Sequence, residues 1–201
     1  MFDQTYNFIY EGNKVEYGCV LGSNTIVYIK AGRGGSYHGY EDKYLKIAHR
    51  LHDQYGGCSV ICVSNPVPLP VSVDQTILDT FVQEHGFDHP ELFFFGNSNG
   101  CVKGLEIAAN GVEFKRMVLV NMPLMLNFHK TVHWMKLIPT TEIVTVYGEK
   151  DPSYSYVPFL ECQKLSNVEI VKIQGADHNF RGMMGEFLKL SDMLLKSQKK
   201  G

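Results

Sequence analysis

The stretch Leu92-Phe93-Phe94-Phe95-Gly96-Asn97-Ser98-Asn99-Gly100-Cys101-Val102 limits the possible folds more than any other part of the chain. Its first four residues are all apolar and three are aromatic, which suits a strand and is too short for a helix. Such a strand has no polar face to offer water, so it is read as buried. A helix-compatible segment begins within a few residues of its end. The chain must therefore turn sharply at Gly96-Asn97-Ser98-Asn99-Gly100, with Ser98 at the point of the turn. Glycines two residues to either side remove Cβ atoms that would collide where strand and helix crowd together. The hydroxyl is lifted clear of the strand, and the N-terminus of the next helix, with its free N–H groups, faces whatever binds there.

A glycine, any residue, serine, any residue, glycine pattern is common, and a bystander serine in a glycine-rich turn is the alternative reading. A strand before and a helix after are the context that a nucleophile elbow needs. The decision rests on whether the remaining chain supplies a base, an acid and oxyanion donors.

The chain reads as follows. Tyr6 to Tyr10 and Lys14 to Leu21 alternate around Glu11-Gly12-Asn13, predicting an antiparallel hairpin at one sheet edge. Thr25 to Ile29 and Ser59 to Val63 are buried strands, and Tyr40 to Tyr55 is a helix closed by Gly56-Gly57. Prolines at 66, 68 and 70 exclude regular structure there. Ser72 and Gln75 resemble a capping box opening a helix over Val73 to His85. A helix from Asn99 to Asn110 carries Gly104, Ala108 and Ala109 for close packing. Strands follow at Arg116 to Val120, Glu142 to Tyr147 and Val168 to Ile173. Pro158 to Leu165 is a short helix, and a last one covers about Met183 to Lys196 before a frayed tail. Asn121 to Pro139 is the least regular part and the only segment able to overhang a site. The fold class is therefore α/β: a mostly parallel sheet of about eight strands with an antiparallel N-terminal hairpin and helices on both faces. Residues 1–201 are expected to form one domain, with 121–140 as a minimal cap.

Composition excludes several function classes. With 44% hydrophobic and 20% charged residues and a formal net charge of −2, the chain has no basic footprint for nucleic acid. No run approaches the length of a membrane span, and the N-terminus does not resemble a secretory signal, so a cytoplasmic protein is expected. Cys19, Cys58, Cys62, Cys101 and Cys162 are spread without zinc-site spacing and read as buried free thiols. His129 and His133 lack a carboxylate pattern suited to a metal, and neither a metal nor a cofactor is expected.

Ligands of parallel sheets bind beyond the carboxyl ends of strands. Ser98, Asp151 in Gly148-Glu149-Lys150-Asp151 and His178 in Gly175-Ala176-Asp177-His178-Asn179-Phe180 each fall just past such an end. These motifs, in the order nucleophile, acid, histidine, resemble the α/β-hydrolase family over roughly residues 5 to 195. The resemblance implies Ser98 as nucleophile, His178 as general base and Asp151 as the carboxylate that orients the histidine, with Glu149 and then Asp177 as alternatives. It also implies oxyanion donation from the N–H of Asn99 and from the loop Ala31-Gly32-Arg33-Gly34-Gly35, where Arg33 is favoured and Gly34 follows. Ala31 stands where that loop often carries histidine. Met122 and Phe180 are candidate substrate-binding residues, and Cys101 is read as packing.

The implied function is hydrolysis of an ester or thioester of a small acyl substrate through an acyl-enzyme, at an open site without a large lid. An acyltransferase or peptidase would use the same residues. A non-catalytic ligand-binding member would keep only the scaffold.

Overall fold

The computed structural model describes residues 1–67 and 69–195; Pro68, the predicted helix end at Lys196 and the tail at 197–201 lie outside the described residues. Strands β1 (Gln4–Tyr10) and β2 (Asn13–Val20) form the expected hairpin. Six more strands complete the sheet: β3 (Ser23–Lys30), β4 (Cys58–Val63), β5 (Glu91–Asn97), β6 (Arg116–Val120), β7 (Glu142–Gly148) and β8 (Val168–Ile173). The order is β1-β2-β4-β3-β5-β6-β7-β8. β1, β2 and β4 pair antiparallel and all remaining neighbours pair parallel.

Consecutive residues of the central strands feed two cores. In β5, Phe94 enters a core with α2 (Val71–Glu84), α3 (Asn99–Ala109), α4 (Leu124–Leu137) and α5 (Val157–Glu161), whereas Phe95 enters one with α1 (Lys43–Gln54) and α6 (Met184–Lys189). Both faces of the sheet are covered, which is why these strands show no polar alternation. Gly104 permits the closest of these contacts: a Cβ there would stand 2.2 Å from the Phe94 ring.

Four local expectations change. The segment predicted as irregular at 121–139 contains α4, kinked at Asn127 (φ −140°, ψ 24°), and the kink is what spoils its periodicity. Leu124, Val132, Trp134 and Met135 are buried from this helix, and none of its residues lines the cleft around Ser98 described below. The capping box is not formed, because Pro70 is the N-cap of α2 and Ser72 lies inside the helix. The last helix is broken into α6 and a 3₁₀ turn, Leu190–Met193. Cys19, Cys58, Cys62 and Cys101 are buried free thiols, but Cys162 is exposed. Among the described residues no helix is long and apolar enough to cross a membrane.

One buried ionic group pins α2 to the sheet. Lys30 and Asp74 are both fully buried, with Nζ 2.6 Å from Asp74 Oδ1 and 3.0 Å from the Ser64 carbonyl; the Tyr28 hydroxyl donates to the same carboxylate oxygen at 2.7 Å. Burial holds the Lys30 ammonium below its ordinary pKa, and Asp74 opposes that shift. Asp74→Ala leaves this ammonium uncompensated, and a loss of about 3–5 kcal/mol in urea unfolding is expected. A loss under about 1 kcal/mol would show that the pair does not carry this weight.

Candidate active site

The geometry begins with the turn after β5. Ser98 has φ 54° and ψ −125°, a strained conformation for a residue with a side chain. Its N–H donates to the Val120 carbonyl at 2.8 Å, and its carbonyl accepts from Cys101 N–H at 3.0 Å, which over-determines the turn. A Cβ at Gly100 would meet the Lys30 carbonyl oxygen at 2.3 Å, and one at Gly96 the Cys101 Cα at 2.9 Å. Both positions need glycine for that reason, and together they set Ser98 at the N-terminus of α3.

His178 Nε2 lies 3.0 Å from Ser98 Oγ, and His178 Nδ1 lies 2.5 Å from Asp151 Oδ2. A carboxylate only accepts, so the proton is on Nδ1 and the lone pair of Nε2 faces the serine. Asp151 has 1% of its side chain exposed, against 38% for His178. Its other oxygen accepts the Ser153 N–H at 2.7 Å, capping the 3₁₀ turn Pro152–Tyr156. The two alternative acids are occupied elsewhere. Glu149 accepts from Gly175 N–H at 3.0 Å, and Asp177 accepts from Asn179 and Arg181 N–H, each at 3.0 Å. The Arg181 N–H contributes most to holding the Asp177 carboxyl below its ordinary pKa.

Sequence reasoning missed two asparagines that fix this arrangement. Asn121, fully buried at the end of β6 with φ 49°, donates from Nδ2 to the carbonyls of His178 (3.0 Å) and Asp177 (3.2 Å). Its Oδ1 accepts the Gly148 N–H at 2.9 Å. It thus ties the ends of β6 and β7 to the histidine loop. The available signal was a polar residue directly after a wholly apolar strand. Asn121→Ala removes three hydrogen bonds and is expected to lower kcat of any turnover that runs through His178 about 10- to 100-fold, with a smaller change in KM. An unchanged kcat would show that the loop holds His178 without it.

Asn65 does the same for the loop 31–35. Its side chain donates to the Ala31 carbonyl at 3.1 Å and to Asn99 Oδ1 at 3.2 Å, and its carbonyl accepts the Gly34 N–H at 2.7 Å. Gly34 is therefore corrected as an oxyanion donor, because its N–H is already used. The N–H groups of Arg33 and Asn99 donate to no acceptor among the described residues.

Ser98 and His178 open onto a cleft of about 380 Å³ lined also by Gly32, Arg33, Lys43 and Asn97. Met122 and Phe180 do not present a surface to it. Met122 is fully buried in the core beside α3 and α4, and Phe180 is 1% exposed, its ring packed at 5.4 Å from Phe187. The Met122 expectation is corrected, since nearness along the chain to a site residue does not set the direction of a side chain; Phe180, though its ring is packed inward, lines an adjoining cleft of about 790 Å³ that it shares with Lys43. Cys101 is buried with its thiol on the Val120 carbonyl, in keeping with a packing role.

No family model and no curated protein sequence matches this chain. Solved structures do. An alpha-beta serine hydrolase homologue from Coxiella burnetii superposes with a TM-score of 0.72 at 18% identity, covering 95% of this chain and 96% of its own. A serine hydrolase without lid from Xanthomonas campestris gives 0.70 at 13% identity, covering 96% of each chain. The chain has the α/β-hydrolase fold. A further match, the esterase domain of a Rhodothermus marinus protein, has a TM-score of 0.68 at 12% identity over 94% of this chain and 95% of that one. Within the α/β-hydrolase fold, the ends of β5, β7 and β8 bring together Ser98, Asp151 and His178 of this chain.

Proposed function

We propose that the chain is a serine hydrolase that cleaves a carboxylic ester or thioester of a small acyl substrate through an acyl-enzyme. The observation that carries this reading is the continuous line of hydrogen bonds from Ser98 Oγ through the His178 ring to Asp151, 3.0 Å and then 2.5 Å long. Similarity of fold to proteins described as serine hydrolases and an esterase domain adds support.

Ser98 Oγ attacks the acyl carbonyl as His178 Nε2 takes its proton, and Asp151 Oδ2 stabilises the imidazolium through Nδ1–H. The tetrahedral oxyanion lies against the Asn99 N–H at the head of α3 and the Arg33 N–H of the loop after β3, where each donor contributes roughly 3–4 kcal/mol to the transition state. The alcohol or thiol leaves with the proton held by Nε2. Water then attacks the acyl carbonyl, giving its proton to Nε2, which passes it to Ser98 Oγ as the acyl–oxygen bond breaks and the acid is released.

Reaction with a fluorophosphonate probe, followed by peptide mapping, tests this directly. Modification of Ser98, abolished by His178→Ala, is the expected result. A protein that stays unlabelled and cleaves none of a panel of ester, thioester and aminoacyl-amide substrates is not an acyl-transfer enzyme.

A further inference from the structure

Lys43, the first residue of α1, is 9% exposed and is one of the residues lining the cleft that holds Ser98 and His178. Its partners are few for a buried cation. One N–H reaches Asn97 Oδ1 at a long 3.3 Å, and the charge sits 4.4 Å from the centre of the Phe187 ring and 5.1 Å from that of Tyr44. An ammonium has three donors, and none here meets a carboxylate among the described residues. Glu41 lines the neighbouring cleft of about 790 Å³ together with Lys43, yet makes no ion pair with it.

The contrast with Lys30 is informative. That lysine is fully buried, deeper than Lys43, and has Asp74 and the Ser64 carbonyl against it. Lys43 is left without such compensation, and desolvation alone pulls its pKa down to about 8. A buried, weakly partnered cation costs folding free energy unless an anion completes it. The opening of its cleft toward the nucleophile says where that anion comes from. The other cations on these clefts differ: Arg33 is exposed, and Arg181 is 79% exposed beside Asp177. One enclosed positive charge matches one negative charge, a carboxylate rather than a phosphate dianion.

We propose that Lys43 recognises a carboxylate carried by the substrate, so that the site takes monoanionic esters: half-esters of dicarboxylic acids or esters of hydroxy acids. This rests on the serine-hydrolase reading of the same cleft. Asn97, directly before Ser98, accepts one N–H of this ammonium through Oδ1 and so ties Lys43 to the nucleophile turn.

The test compares matched esters, monoethyl adipate against ethyl hexanoate for an acyl-side carboxylate, and carboxymethyl butanoate against propyl butanoate for one on the alcohol side. The expected wild-type kcat/KM favours the charged member of one pair by about tenfold or more. In Lys43→Met and Lys43→Gln that ratio falls to about one or below. A wild-type ratio of one or less in both pairs overturns the proposal, even if Lys43→Met fails to fold. So does a ratio that survives in the variants, or an equal loss on charged and neutral esters, which would mark Lys43 as support for Asn97. Fluorophosphonate labelling of the same wild-type preparation separates the two levels. Ser98 labelled without charge preference removes carboxylate recognition and leaves the hydrolase reading; no labelling and no turnover of any ester removes both.

Discussion

Ser98→Ala is expected to lower kcat by about 10⁵- to 10⁶-fold, the scale on which removal of a serine nucleophile leaves only substrate binding and oxyanion stabilisation. The Ser98 hydroxyl makes its side-chain hydrogen bond to His178 alone, so its removal leaves the Asp151–His178 contact and the Asn121 tether in place. Alanine also inherits the φ of 54°, and the thermal midpoint should stay within a few degrees of wild type. Ser98→Gly makes an independent check on the turn: it should be equally inactive but about 1 kcal/mol more stable, because glycine adopts this backbone conformation without strain. Turnover within tenfold of wild type in Ser98→Ala, measured on any ester that the wild type cleaves, would sink the mechanism whatever the stability data show.

What the sequence discloses is set by how local the cause is. The buried strands declare themselves because neighbouring residues such as Phe94 and Phe95 must each enter an apolar core, and that shows as an unbroken apolar run. The residues placed just past strand ends are legible for a related reason: a parallel sheet gathers those ends at one edge, so Ser98, Asp151 and His178 can be brought together without knowledge of any single contact. Direction is the part that stays hidden. Asn121 and Met122 are neighbours, yet the first turns to the histidine loop and the second into the core, a choice made by the αL-like backbone at Asn121. Gly34 and Arg33 are likewise adjacent, and only the distant Asn65 carbonyl decides which N–H remains available. Nothing next to Lys43 in the sequence marks it, because its surroundings are Phe187 and Asn97, far away along the chain. Helix α4 was obscured by a kink, a local irregularity that interrupts the 3.6-residue pattern.

Asp151→Asn should cost about 10⁴-fold in kcat, and the structure specifies how. In the wild type one carboxylate oxygen accepts from the Ser153 N–H and the other from His178 Nδ1–H. An amide has only one oxygen. If that oxygen faces Ser153, the NH₂ group faces Nδ1 and can be satisfied only by the imidazole tautomer with its proton on Nε2. That proton then points at Ser98 Oγ, and the ring can no longer accept from it. If the amide is reversed, two donors confront each other at the capped turn, in a place with 1% of the side chain exposed. The capped turn thus selects the wrong tautomer. Glu149→Gln and Asp177→Asn are the necessary companions, since both acids lie in the same two loops. Their carboxylates accept backbone N–H groups that an amide oxygen can also serve, and a loss of about tenfold or less is expected from each. Single-turnover kinetics on one ester for all three variants decides the assignment: should Glu149→Gln or Asp177→Asn match the fall in Asp151→Asn, the carboxylate that orients His178 during turnover is not the one at residue 151.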